Sequence, residues 1–293
     1  MVDSLDTKQI PILWINLDRA TSRRARMQWA LRNGGWISKR FRALDAFDKH
    51  QHFLALPNLF KAGTHLPGVY RSEEAQPNRK TSRAELACMA SWKHLLCIAD
   101  SVISPSGWLL LMEDDLGSSL ANPKAWVHSL LDLIDFCPSQ TLAIQLAPIS
   151  ANVRQHLAEE WKLSHGTCLA VPKEQVRSHG NGALLINKRA LSILKDPFII
   201  FSQLLSTNWH PMLYPWKLRP VADKWLYAAL PSGSCQVATY PHFCLDAEDS
   251  HLHIAHVNDF HKPSRETTIN IWTRDHRFGL LSALNAWDNI NTN

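Results

Sequence analysis

Apolar runs separated by segments of mixed period set the organisation of this chain. Ile10-Pro11-Ile12-Leu13-Trp14-Ile15-Asn16-Leu17 is continuous enough for a strand covered on both faces, with Asp18 and Thr21 as turn and N-cap candidates behind it. From Ser22 to Asn33, Ala25, Met27, Trp29, Ala30 and Leu31 interleave with Arg23, Arg24, Arg26 and Arg32, which predicts a helix closed by Gly34-Gly35. Lys39 to Leu44 reads as a short second strand. Between His50 and Lys80 the prolines and glycines at Pro57, Gly63, Pro67, Gly68 and Pro77 break any period and predict a long irregular insertion. Thr81 or Ser82 is placed to cap a helix running to about Asp100, with Glu85 at the capping-box position from Ser82.

Trp108-Leu109-Leu110-Leu111-Met112 is a buried strand that stops in Glu113-Asp114-Asp115. A helix is expected over Pro123 to Phe136, a strand over Thr141 to Leu146, a glycine-led strand over Gly180 to Asn187 and a short helix over Lys188 to Leu194. Pro197 to Pro220 is aromatic and proline-punctuated, Val221 to Leu230 reads as helix and Cys235 to Tyr240 as a late strand. The tail from His251 is rich in histidine, asparagine and tryptophan. Alternation of strand and helix up to about residue 195 predicts an α/β fold with a largely parallel sheet.

A chain of 293 residues can bury a large core. The formal charge of +5 is modest and forms no basic block, so nucleic acid is not an expected partner and a small anionic substrate accounts for it. No apolar run reaches the roughly 20 residues of a membrane span, and Met1-Val2-Asp3-Ser4-Leu5-Asp6 lacks the regions of a signal peptide. A cytoplasmic protein is therefore expected. Six cysteines without a CxxC pair read as free thiols. Twelve tryptophans offer faces that can stack on sugar rings, although packing is the commoner role for each.

The acidic triplet changes the picture most. Carboxylates at the carboxyl end of a buried strand sit where open α/β sheets bind ligands, and three adjacent acids need solvent or a hard divalent cation to offset their charge. The alternative is a solvated acidic turn in which Asp114 or Asp115 caps the next helix.

Taken in order, Ile15-Asn16-Leu17-Asp18-Arg19 with Arg23-Arg24, then Glu85-Leu86-Ala87-Cys88 with Ser91, then the leucine-rich strand into Glu113-Asp114-Asp115, resemble glycosyltransferase family 25. This is the group of bacterial lipopolysaccharide β-galactosyltransferases and collagen galactosyltransferases. Gly182 to Ala190 looks like the family's second glycine-led strand and helix, and Val221-Ala222-Asp223 like its later aspartate. The resemblance implies a GT-A-like (Rossmann-like) fold over residues 1–250, with 251–293 as an extension packed on the same domain. It also implies a UDP-sugar donor such as UDP-galactose and a Mn²⁺ or Mg²⁺ ion held by the triplet, with Asp115 as first ligand, Asp114 beside it and a late histidine, His253, as a third. A metal bridging the diphosphate would stabilise the leaving group's developing charge. Asn16, Leu17, Asp18 and Arg19 would line the nucleotide, Glu85 would support the donor site and Glu113 would orient sugar hydroxyls or the ribose. Arg24 is the candidate diphosphate or uracil contact, its alternative being an exposed helix arginine, while Arg23 and Arg26 are read as exposed.

Asp223 is the candidate general base for an inverting transfer, with an N-cap as its alternative role and Asp246, Glu248 or Asp249 as competing bases. His251, His253 and His256 are spaced too irregularly for a zinc motif. The family has histidine directly after the serine matched by Ser91, where this chain has Trp92 and then His94. The expected activity is transfer of galactose or glucose to a hydroxyl of a glycan or lipopolysaccharide acceptor, with the inner membrane surface as a place of encounter. A fold-retaining binding or scaffold protein is the alternative. A metal-dependent phosphotransferase or hydrolase is weaker, since neither GxxxxGK[ST] nor a nucleophile elbow is present.

Overall fold

The computed structural model describes residues 10–46, 83–103, 106–195, 222–246 and 256–290. The strands are β1 (Ile12–Asn16), β2 (Ser38–Arg42), β3 (Trp108–Glu113), β4 (Ala143–Gln145), β5 (Ala170–Pro172), β6 (Ala183–Asn187) and β7 (Cys235–Ala238). The α-helices are α1 (Thr21–Gly34), α2 (Arg83–Ala99), α3 (Leu130–Phe136), α4 (Ala151–Leu163), α5 (Lys188–Leu194), α6 (Ala222–Ala229), α7 (Lys262–Arg274) and α8 (Phe278–Asp288).

The strands form one sheet in the order β2-β1-β3-β6-β4-β7-β5. β1 is parallel to β2 and to β3, and β4 is parallel to β7, whereas β6 runs antiparallel to both β3 and β4 and β5 antiparallel to β7. The expected largely parallel sheet is thus corrected to a mixed one. Ala183-Leu184-Leu185-Ile186 is buried throughout, and an apolar run covered on both faces carries no mark of its direction.

Strand residues divide by period two between two apolar layers. Leu13, Ile15, Leu109, Leu111, Leu184 and Ile186 face the layer that holds α2, α5 and α6. Ile12, Trp14, Leu110, Met112, Leu185 and Ile144 face the opposite layer, where Met27, Ala30, Leu133, Ala158, Trp272, Leu284 and Trp287 cover them. Helices α7 and α8 therefore complete the same core as β1 and β3, in a stretch for which the sequence suggested no element. Helix α4 and strand β5 were likewise not expected.

The single helix expected over Pro123 to Phe136 is two pieces. A 3₁₀ turn over Pro123–Ala125 ends at Trp126, and α3 starts afresh after Ser129. Ser129 and Asp132 exchange side chain to backbone hydrogen bonds at 2.7 and 3.0 Å, a capping box that fixes the new start. All six cysteines are free, as their spacing predicts. Among the described residues no helix is long and apolar enough to cross a membrane.

Candidate functional site

Strand β1 is flanked by β2 on one side and β3 on the other, so the carboxyl ends of β1 and β3 border the point where open α/β sheets leave a ligand crevice. Ile15 pairs with Glu113 in register, which sets Asn16 against Asp114 one step beyond. Asn16, buried to 1 % exposure, donates from Nδ2 to Asp114 Oδ2 at 2.6 Å and to Ala20 O at 3.1 Å. Its Oδ1 accepts from Arg40 Nε at 2.9 Å. This amide thereby joins β2, β1, β3 and the start of α1. Helix α1 begins at Thr21 behind Ala20, with no side-chain cap, so neither Asp18 nor Thr21 serves as the cap.

The expectation that Arg23 and Arg26 are exposed is corrected. Arg23 and Arg26 are buried, and Arg24 is partly exposed with its guanidinium 3.9 Å from Asp18. Positions 23, 26, 27 and 30 share one helix face, and Met27 and Ala30 draw that face inward with both arginines on it. Arg23 Nη1 lies 3.1 Å from Asp114 Oδ1 and 3.7 Å from Asp115 Oδ2, while Arg26 Nη1 lies 2.9 Å from Asp246 Oδ2. Burial of the acids requires such partners.

Each acid of the triplet has a different setting. Asp114 is held on both oxygens, by Asn16 and Arg23, and burial, opposed by the Arg23 charge, raises its carboxyl to about 6. Asp115 is buried; its carbonyl accepts from Asp246 N at 2.6 Å, and its Oδ1 has no hydrogen-bond partner. Glu113 accepts from the indole Nε1 of fully buried Trp92 at 3.1 Å. Burial, then the charge of Asp115, pushes the Glu113 carboxyl up to about 8.

Asp223 lies within the first turn of α6, past the cap position, and its Oδ2 accepts from Gly180 N at 3.1 Å. Its charge also acts on Glu113. Burial pushes the Cys88 thiol well up, and the charges of Glu113, Asp223, Glu85 and Asp115 add to the shift. Acids from three separate stretches of sequence, Glu85, the Glu113–Asp115 end of β3 and Asp223, thus act electrostatically on one thiol of α2. Among the described residues, no three His, Cys, Asp or Glu side chains converge as a metal cage. The acids share a field without closing on one point.

A second group lies on the rim. Asp18 is exposed and pairs with Arg40, with Arg42 at 2.6 Å and with Arg24, and the Arg40 hydrogen bond draws its carboxyl below the ordinary range. Arg19 pairs with Asp45 at 2.6 Å. Leu17 packs partly buried against the α2 layer. Asp246, a competing base by sequence, is 2 % exposed and paired with Arg26, and its carbonyl accepts from His261 Nδ1 at 3.0 Å. His253, Glu248, Asp249, His251, the His50 to Lys80 insertion, Trp209 and Trp216 lie outside the described residues.

Sequence reasoning missed Arg23, Arg26, Cys88 and the Trp92 to Glu113 contact. The helix-face spacing from Arg23 to Ala30 could have revealed the first two, while the others depend on contacts between distant segments. No family model and no curated protein matches this chain.

Proposed function

We propose that the protein is a glycosyltransferase of GT-A-like fold that transfers a hexose, galactose or glucose, from a UDP-sugar to a hydroxyl of a glycan acceptor with inversion. The observation that carries this reading is the acidic triplet at the carboxyl end of β3 beside β1, in which Asp114 and Asp115 are buried and Asp115 Oδ1 has no hydrogen-bond partner among the described residues. The mixed sheet is compatible with the Rossmann-like core such a fold requires.

Asp115 is the residue suited to a divalent cation, because its buried Oδ1 lacks any hydrogen-bond partner and a hard ion favours carboxylate oxygen. Mn²⁺ or Mg²⁺ bound there would supply Lewis-acid stabilisation of the departing diphosphate. Asp114 is the less suited ligand, since Asn16 and Arg23 hold its oxygens, and it serves to anchor the end of β3. Glu113, held at the end of β3 by the indole of Trp92, is placed to hydrogen-bond a sugar or ribose oxygen. Asp223 is the base that takes the acceptor hydroxyl proton, steadied by the Gly180 N–H.

A second reading, a binding protein that keeps this fold without turnover, draws support from Arg23. Its guanidinium already stands beside Asp114 and Asp115 as a countercharge. Incubation with UDP-hexoses and Mn²⁺ across an acceptor panel separates the two. Release of UDP by wild type and its loss in Asp115→Ala supports the transferase. UDP binding without release supports the binding protein, and absence of both UDP and metal binding overturns the assignment.

A further inference from the structure

Behind Asp223 lies a buried polar network that the proposed chemistry does not yet use. Lys173, in a 3₁₀ turn over Lys173–Gln175 next to β5, directs Nζ to Gln145 Oε1 at 2.8 Å, Ser178 O at 2.8 Å and Ser178 Oγ at 2.7 Å. The same ammonium stands 3.9 Å from the ring centroid of Tyr227. Three donors meet three acceptors and the charge rests on an aromatic face, so the half-buried cation is fully engaged within the protein.

Each of its neighbours leads to the Gly180 peptide. Gln145, fully buried in β4, donates from Nε2 to His179 O at 2.9 Å and Gly180 O at 2.5 Å, and Ser178 Oγ donates to Gln145 Oε1 at 2.6 Å. Tyr227 OH donates to Gly180 O at 3.3 Å. The N–H of Gly180 then donates to Asp223 Oδ2. Asp223 and Tyr227 are four residues apart on α6 and so lie on one helix face, with Gly180 clasped between them. Gly180 has φ +91, and an added Cβ would lie 3.2 Å from Ile149 Cβ, so this close turn is built for glycine.

We infer that Lys173 is a positioning residue for Asp223, acting through Gln145, Ser178, Tyr227 and the Gly180 peptide to fix the carboxylate that receives the acceptor proton. The inference rests on the proposed role of Asp223. Burial draws the Lys173 ammonium down to about 8, and Asp223, Glu174 and Cys235 oppose that fall, so its charge is linked electrostatically to the base as well as mechanically. A lysine buried only to complete a structural turn would have no reason to lose its effect when Asp223 is absent.

The test is a double-mutant cycle on UDP release by the full chain with Mn²⁺, using Lys173→Met, Asp223→Asn and the pair. Lys173→Met keeps the apolar stem and removes the charge. Its kcat is expected to fall about tenfold to a hundredfold with KM for the donor nearly unchanged, and the double variant to be no slower than Asp223→Asn alone. Tyr227→Phe removes one hydroxyl from the same clasp and should lower kcat in the same way, which keeps the test valid should Lys173→Met fail to fold. Unchanged kcat in the folded Lys173 or Tyr227 variants, or losses additive with Asp223→Asn, overturns the inference and leaves the role of Asp223 standing. Wild-type turnover in Asp223→Asn overturns the base assignment itself, and the inference with it.

Discussion

Asn16 and Asp114, ninety-eight residues apart in sequence, meet through a 2.6 Å hydrogen bond between the ends of β1 and β3. Register dictates the meeting, since Ile15 is already paired with Glu113. The bond makes the first turn of α1 and the acidic triplet parts of one assembly, with Arg23 as its charge balance.

Removing that balance should be severe. Arg23→Met leaves two buried acids beside an apolar stem, and a loss of about 3–5 kcal/mol is expected at pH 7 from urea unfolding. Asp114 then has its folded pKa pushed further above the unfolded value of 3.8, so the deficit should shrink as pH falls and the acid protonates. A deficit that is constant between pH 7 and pH 5 would contradict the pairing.

Trp92→Phe keeps an aromatic ring but trims its volume and removes the donor to Glu113. A loss of about 1–2 kcal/mol is expected, together with reduced UDP release. The matched variant Trp92→Phe/Glu113→Gln should show coupling between the sites. Additive stability changes would mean that the indole merely packs.

A source of acid sensitivity should lie at His242, outside the triplet. His242 is 1 % exposed, packed 4.4 Å from the His128 ring and against Trp126 and Tyr240, and neither of its ring nitrogens has a hydrogen-bond partner. Burial first, then the charges of His128 and Arg277, hold its pKa well below 6.5. At this side chain the unfolded chain binds a proton that the folded chain refuses, so the His242 contribution to stability is full above pH 6.5 and is lost below it by up to about 1.4 kcal/mol per pH unit, opposite in sign to the contributions of Glu113 and Asp114. His242→Phe should flatten that decline in denaturant titrations from pH 7 to pH 5.

Gly180→Ala forces a side chain onto a backbone at φ +91 and against Ile149. A destabilisation of about 1–3 kcal/mol is expected by thermal unfolding, with turnover lost beyond that effect because the N–H facing Asp223 is displaced. Retained turnover at reduced stability would separate the turn from the site.

Periodicity made most strands and several helices legible. The runs at Ile12–Asn16 and Trp108–Glu113 and the helix at Lys188–Leu194 stand close to where alternation and turn residues put them. Strand direction was hidden, because β6 is covered on both faces. Helices α7 and α8 were also hidden: in α7 a polar composition masked the inward residues Ile271 and Trp272, while α8, apolar around much of its circumference, gave no clear stripe to mark Leu284 and Trp287 as inward. At the site, the acids were visible by type and position, whereas the choice of Arg23 over Arg24 required following a helix face rather than a charge pattern. Trp92 was visible only as a departure from the resembled family; that its indole reaches Glu113 is a matter of how α2 crosses the sheet.

The 2.6 Å hydrogen bond from Asp246 N to Asp115 O, with the Arg26 ion pair beside it, has a bearing on biosynthesis. Arg26 and Asp246 are 220 residues apart, so the carbonyl of Asp115 and the side chain of Arg26 acquire these neighbours long after both have been made. A nascent chain still lacking residue 246 carries the whole acidic triplet but not this support, so the crevice gains its final form only after that residue has been made.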